Sequence, residues 1–324
     1  MQSATNKNNL VFGPVPSRRL GKSIGISNVP HKLCSYSCAY CQAGKGNKIQ
    51  VKREAFYSPD LLAELVQQKI KTLQPENRPS YITIVPDGEP TLDKNLGKLI
   101  LNLKDLGLPV AIITNSSLIQ NDDIAADLLN ADYISFKIDT VNHSTWKHLN
   151  KPHRNLNLKG ILSALTNFKN KFTGTYVTET MLVKEMNSST DEFSSTAQFL
   201  HHLNPFRAYL SIPTRPPAYK GVFPPTEEIL LQAYEVFNWH CLDVEFLTAY
   251  QRNNFASSGN FEADLLSITA VHPIRMDAVK ELMAKTTATE ATLEKLIHQN
   301  KVKKLQYEQQ TFIVQSFNKY LTNT

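Results

Sequence analysis

The stretch most able to do chemistry is Cys34-Ser-Tyr-Ser-Cys38-Ala-Tyr-Cys41, which holds three of the chain's four cysteines at a C-x3-C-x2-C spacing. The fourth, Cys241, lies far away in sequence. Thiolates are soft ligands suited to iron–sulfur clusters, zinc or copper(I). A cubic cluster takes one cysteine per iron, so three in one loop leave one iron without a protein ligand. An open coordination position is what separates a reacting metal centre from a closed structural one. Two plainer readings compete. A disulfide fits poorly with tight spacing in a chain that has no secretory context. Structural zinc usually recruits a second C-x2-C or H-x3-5-H pair, and His31 is the one nearby candidate.

Tyr40, an aromatic directly before the third cysteine, completes a motif that resembles the signature of the radical S-adenosylmethionine (radical SAM) enzymes. The preceding stretch, Phe12-Gly-Pro-Val-Pro-Ser-Arg18-Arg19-Leu-Gly21-Lys-Ser-Ile-Gly25-Ile, resembles more narrowly the wybutosine-biosynthesis-like Fe–S oxidoreductases. That likeness runs on through Arg215-Pro-Pro into the C-terminal segment, nearly the whole chain. The resemblance implies a 4Fe-4S cluster on Cys34, Cys38 and Cys41, with SAM held at the remaining iron by its amino and carboxylate groups. It also implies an external low-potential electron donor, flavodoxin- or ferredoxin-like. Reduction would split SAM into methionine and a 5′-deoxyadenosyl radical that removes hydrogen from a substrate. The motif does not name that substrate; RNA or a nucleoside stands ahead of peptides and small metabolites.

The elements that must position these residues alternate strand and helix. Strands are predicted at Ser23–Val29, Tyr81–Val85, Val110–Thr114, Tyr133–Asp139, Thr175–Val183 and Ala208–Ile212. Helices are predicted from Ser58-Pro59-Asp60, over Asp93–Leu106, Asp122–Leu129, Leu156–Phe168 and Thr190–Leu203, and from Pro225 through Trp239. Ser58 is an N-cap candidate and Pro59 suits the first helical position. Such alternation predicts an α/β fold with a parallel sheet and right-handed crossovers. About six units are too few for a closed eight-fold barrel and fit an open one. The resemblance implies the same, a partial (β/α)6 barrel of TIM type. Chemistry in such barrels sits at the C-terminal strand ends, where the polar clusters of this chain fall.

Gly88-Glu89-Pro90 follows the second of these strands and resembles the family's Gly-Glu motif, which implies contact with the amino group of SAM; otherwise it is an ordinary turn. A carboxylate pairs with an ammonium, and a glycine allows close backbone approach. Thr114, Asn115 and Ser116 end the third strand, as ligands for the ribose or carboxylate of SAM or as the cap of the next helix. Lys137 and Asp139 share one face of the fourth; inside a barrel that pair is costly unless it binds something. Glu179 and Met181 share a face of the fifth. Arg215, after the sixth, suits a carboxylate or phosphate, or a surface ion pair. Arg18 and Arg19 are candidates for anion binding or cluster tuning. Gly44 and Gly46 allow tight turns around a cluster. Cys241 reads as a small buried core residue, and with no further cysteines a second cluster is not expected.

A chain of 324 residues, 41% hydrophobic and 20% charged, has the composition of a soluble globular protein with one large domain and a small one. No apolar run reaches the roughly 18 residues of a membrane span, and the first residues lack the apolar core of a signal peptide. Reduced thiols fit the cytoplasm. The net charge of +6 is concentrated early: residues 1–60 hold nine Lys/Arg against two acids, +7. Such a field attracts an anionic substrate or an acidic electron donor. Beyond about Glu262 a helix at Met276–Lys285, a second from Thr289 and two short strands from Val302 look like a winged helix-turn-helix. Eight basic residues against seven acids give it +1, which is no basic stripe. The expected division is therefore 1–255 for the barrel and 256–324 for the winged-helix-like unit. Two alternatives to the enzyme are an iron–sulfur redox-sensing, nucleic-acid-binding regulator and a structural-zinc module. Oligomeric state is not readable from the sequence.

Overall fold

The computed structural model describes residues 10–17, 19–44, 48–247, 259–269, 273–307 and 310–316. Arg18, Gly46 and the expected domain boundary at 255/256 lie outside them.

Eight strands form the main sheet in strict chain order: β1 (Val11–Ser17), β2 (Gly21–Ile26), β3 (Tyr81–Ile84), β4 (Val110–Thr114), β5 (Tyr133–Lys137), β6 (Thr175–Met181), β7 (Ala208–Ser211) and β8 (Val244–Leu247). β1 pairs antiparallel with β2, and every later pair is parallel. The sheet is a curled partial barrel of TIM type. The six expected strands are all present. β1, whose Gly13-Pro14 and Pro16 broke the strand pattern, adds an antiparallel edge, and β8 adds a seventh parallel strand.

Helices α1 (Pro59–Lys71), α2 (Leu96–Lys104), α3 (Asp122–Leu128), α4 (His143–Leu149), α5 (Leu158–Lys169), α6 (Thr190–Leu203) and α7 (Glu227–Trp239) make the crossovers. Local chemistry fixes their starts. The Ser58, Asn157, Ser189 and Thr226 side chains each accept a first-turn N–H, satisfying donors the helix itself cannot. α2 begins later than its apolar spacing suggests. A 3-10 turn at Pro90–Leu92 comes first, and Asp93 Oδ1 accepts from Asn95 N at 2.9 Å.

Alternation along the strands gives the sheet two different faces. Ile82, Ile84, Ile112, Ile134, Phe136 and Leu210 join the helices in the large outer core. The opposite face lines the barrel lumen. Its lower part is closed by Leu20, Ala111, Tyr133, Val177, Tyr209 and Leu247. Above that plug the same face turns polar, with Ser135, Lys137, Glu179 and Ser211 at successive strand ends.

The remaining residues build a unit with its own apolar cluster, including Leu265, Ile274, Val279, Leu282, Leu293, Leu296 and Ile313. It comprises α8 (Phe261–Thr269), β9 (Ile274–Arg275), α9 (Met276–Lys285), α10 (Glu290–His298), β10 (Val302–Tyr307) and β11 (Gln310–Gln315), with sheet order β9-β11-β10. α8 lies against β1. Among the described residues no helix is long and apolar enough to cross a membrane.

Phe136 joins sheet to helix layer, 2% exposed and edge-on to Phe168 with ring centroids 5.6 Å apart. Phe136→Ala should lower the unfolding free energy by about 3–5 kcal/mol, the range for emptying a buried aromatic site. Urea denaturation followed by circular dichroism measures it.

Candidate active site

The cysteine loop follows β2 and lies across the C-terminal mouth of the barrel. Backbone hydrogen bonds fasten it on several sides. Leu33 O accepts from Glu89 N at 2.9 Å, Cys34 O from Gln50 N at 3.0 Å, and Ala39 N donates to Leu149 O at 2.8 Å. Ser37 N reaches the carbonyls of Asn150 and Lys151, and Tyr219 N donates to Ala39 O. Segments after β2, β3, α4 and β7 thereby meet on one short loop.

The sulfurs receive donors from two further places. Asn115 Nδ2 lies 3.4 Å from Cys34 Sγ, and Asn150 Nδ2 lies 3.5 Å from Cys38 Sγ. Tyr36 N adds a second contact to Cys34 at 3.5 Å. All three thiols are free and partly buried. Burial raises each of them. The charges of Glu89 and Cys38 push Cys34 well up, and Asp139 helps push Cys38 up to about 12. Converting them to thiolates here requires a compensating cation.

Among the described residues no three His, Cys, Asp or Glu side chains converge as one ion requires. A four-iron cube gives each thiolate its own iron, and N–H donors aimed at ligand sulfurs are the outer partners that tune such centres. His31, the zinc candidate, instead bonds Asp87 Oδ2 through Nδ1 at 3.0 Å. Cys241 is exposed, not buried: it follows α7 at a left-handed φ of 58°. It also precedes β8, at the opposite end of the parallel sheet from the cysteine loop.

Glu89 is fully buried and its two oxygens hold four hydrogen bonds. Oε1 accepts from Thr91 N, Thr91 Oγ1 and Thr114 Oγ1 at 3.1, 2.7 and 2.6 Å, and Oε2 from Asn115 N at 2.8 Å. Burial raises its carboxyl even so. The carboxylate therefore joins the ends of β3 and β4. Gly88 is required by the loop: a Cβ there would stand 2.1 Å from Leu33 O. Pro90 opens the 3-10 turn beneath it. Ser116, at φ 66°, donates its hydroxyl to Lys137 O at 3.4 Å, so Thr114, Asn115 and Ser116 bridge Glu89, the cysteine loop and β5.

Asp139 and Lys137 do share a face. Asp139 accepts from Tyr40 OH, from Asn150 Nδ2 at 2.6 Å and from Met181 N at 2.9 Å, with Lys137 Nζ at 3.4 Å. Lys137 also lies 3.1 Å from Glu179 Oε1 and 5.1 Å from the centre of the Tyr40 ring. Glu179 completes the line by pairing with Arg19, which enters from the β1–β2 turn. Burial alone would raise the Glu179 carboxyl, but Lys137 and Arg19 hold it far below the usual carboxylate range. Arg215 reaches Gln42, one residue past the third cysteine, through Nη1 at 2.9 Å.

The expected residues thus gather at one mouth. Asn150 is the largest omission from the sequence reading. It touches Cys38, Tyr40, Asp139 and the Ser37 backbone, yet it follows a helix in Leu149-Asn-Lys-Pro, where nothing in the pattern singles it out. Arg19 was a candidate, but its Glu179 partner, 160 residues away, had no local signal.

A family model described as the Radical SAM superfamily matches residues 28–200. The chain is 40% identical over 309 residues to a UPF0026 protein of Methanocaldococcus jannaschii, covering 95% of this chain and 96% of the relative. Its fold is similar to a radical SAM methyltransferase from Sphaerobacter thermophilus, with TM-score 0.55, 12% identity and coverage of 70% of this chain and 67% of that one. It is also similar to Streptococcus suis SuiB bound to S-adenosylmethionine, with TM-score 0.52, 14% identity and coverage of 68% and 49%. At these identities the structural likeness is one of fold.

Glu89→Gln keeps the shape but sets an amide N–H₂ among four donors. One of them is left unsatisfied, so stability should fall by about 1–3 kcal/mol. Gly88→Ala should be no milder, because a backbone carbonyl must move. Unfolding midpoints of both variants, compared with Gly107→Ala, where a Cβ meets nothing within 4 Å but φ is +75°, separate contact from backbone strain.

Proposed function

This chain belongs to the radical SAM superfamily and is an enzyme, and on that premise we propose that Cys34, Cys38 and Cys41 hold a 4Fe-4S cluster with one open iron for S-adenosylmethionine. When bound, that pair supplies a 5′-deoxyadenosyl radical able to take hydrogen from a substrate. The observation that carries the assignment is the meeting of three cysteines of one loop with amide donors from Asn115 and Asn150 at the barrel mouth.

The chain's own residues do the positioning. Asn115 and Asn150 donate to sulfur and hold the thiolates in place. Glu89 ties the two strand-end loops together and sets negative charge beneath a cationic ligand. Ser116 and Thr114 shape the wall where ribose or carboxylate would lie. Tyr40, anchored by Asp139 and Asn150, presents its ring beside Lys137. Arg215 holds Gln42 at the rim, where it can also meet an anionic group.

Radical SAM enzymes in general need an external reductant, and we assign that role to an acidic flavodoxin- or ferredoxin-like protein. The excess of +7 in residues 1–60 supports docking of this kind. The substrate we favour is RNA or a nucleoside, on the same charge and on the wybutosine-like resemblance, and we place the reaction in the cytoplasm. The unit around α9, α10 and the β10–β11 hairpin reads as winged-helix-like and as a domain of its own, the barrel domain ending near 255. Two of its three clustered lysines are neutralised, Lys301 by Glu262 and Lys304 by Glu294 at 2.7 Å. That favours substrate presentation or protein docking over groove reading, and it weakens the regulator alternative.

Anaerobically reconstituted protein should carry about four irons per chain. With dithionite and SAM it should release methionine and 5′-deoxyadenosine. Cys38→Ala should abolish both iron retention and cleavage. Iron binding without any 5′-deoxyadenosine would leave the redox sensor standing instead. Asn150→Ala should weaken cluster retention about 10–100-fold, the usual effect of deleting a partner of a metal ligand, as read by iron release to a chelator.

A further inference from the structure

The polar layer of the lumen holds a donor edge that the protein itself leaves open. Arg19 rises past the Tyr209 ring, 5.9 Å from its centre, into a barrel closed below by Leu20, Tyr133, Tyr209 and Leu247. Its Nη1 makes both side-chain hydrogen bonds, to Glu179 Oε2 and to Ser135 Oγ at 3.3 Å. Nε and Nη2 lie side by side on the other edge of the planar group and make no hydrogen bond to another described residue; neither is among the fully buried unpaired atoms. Arg19, Lys137 and Glu179 keep 15, 19 and 13% side-chain exposure, whereas Asp139 keeps 1%. Arg19, Lys137, Glu179 and Asp139 balance two positive charges against two negative ones, and the two cations are the more exposed of the four.

Building on the radical SAM reading, we propose that this edge of Arg19 binds a carboxylate carried by the substrate, with Lys137 beside it and the Ser135–Glu179–Ser211 line holding the guanidinium in place. Two parallel N–H groups match the two oxygens of a carboxylate. The layer is balanced before a ligand enters, so a monoanion adds one negative charge and a phosphate dianion two, beside buried Glu179 and Asp139, where like charges are poorly screened. Glu179 is a positioning residue. Ser211 Oγ donates to its Oε1 at 2.9 Å, and Lys137 occupies the same oxygen, so Oε2 is left to fix Arg19. The substrate class is thus a molecule or residue bearing one carboxylate at the end that enters the barrel, with the hydrogen to be abstracted nearer the cysteine loop.

The full-length protein is tested with acetate, acetamide and methyl phosphate at constant ionic strength, reading the unfolding midpoint against concentration, since a ligand of the native state raises it saturably. Acetate should stabilise the wild type, acetamide should not, and methyl phosphate should need higher concentrations than acetate. Arg19→Gln alone leaves Glu179 with one cation and risks misfolding. The double variant Arg19→Gln, Glu179→Gln removes one charge of each sign, and it should need at least about tenfold more acetate for the same shift. Arg19→Lys keeps the charge without the paired donors and should fall between. Equal acetate response in the double variant, tighter binding of methyl phosphate, or no response in the wild type overturns the proposal. Reductive SAM cleavage by the wild type is assayed separately. Cleavage with an Arg19-independent acetate response sinks the carboxylate site alone. An Arg19-dependent response without cleavage sinks the radical reading and leaves a carboxylate site.

Discussion

One buried carboxylate, Asp139, decides how the mouth of this barrel is put together. It joins the cysteine loop through Tyr40, the end of α4 through Asn150, the end of β6 through Met181 N and its own strand through Lys137. A carboxylate this deep is tolerated only because every direction around it supplies a donor or a positive charge. Those donors come from four separate segments, so the loop that carries the cysteines is held by the same electrostatic requirement that orders the strand ends. Removing any one partner would leave charge facing a region of low dielectric.

Below that carboxylate the lumen continues as a line of alternating sign, Asp139, Lys137, Glu179, Arg19. Alternation keeps the inner face of the sheet charged without separating like charges into solvent. It also gives the barrel two compartments of different character. An apolar plug lies at the N-terminal strand ends, and a polar chamber opens beneath the cysteine loop. The parallel sheet imposes this arrangement, since residues two apart on one strand occupy successive levels of the same wall.

Much of this was legible in the chain. The cysteine spacing singles out the loop that lies across the mouth, and the alternation of β-rich runs with amphipathic segments predicts the parallel sheet at whose strand ends the motifs gather. Lys137 and Asp139 could be placed on a shared face by counting in twos. What escaped depended on contacts without local pattern. β1 carries Gly13, Pro14 and Pro16, which argue against a strand until an antiparallel partner is present. Asn150 gains its role only because α4 ends beside the loop. Glu89 also ties Thr91, Thr114 and Asn115 together through its two oxygens, a structural task that the turn sequence alone does not reveal. Cys241 looked like a core residue by type, but the left-handed turn after α7 carries it to the surface.

That displaced thiol gives the molecule a built-in handle. Cys241 faces solvent at the far end of the sheet, whereas Cys34, Cys38 and Cys41 are partly buried at the mouth. An alkylating reagent therefore meets Cys241 first, and a label placed there tethers the protein with its mouth turned away from the support.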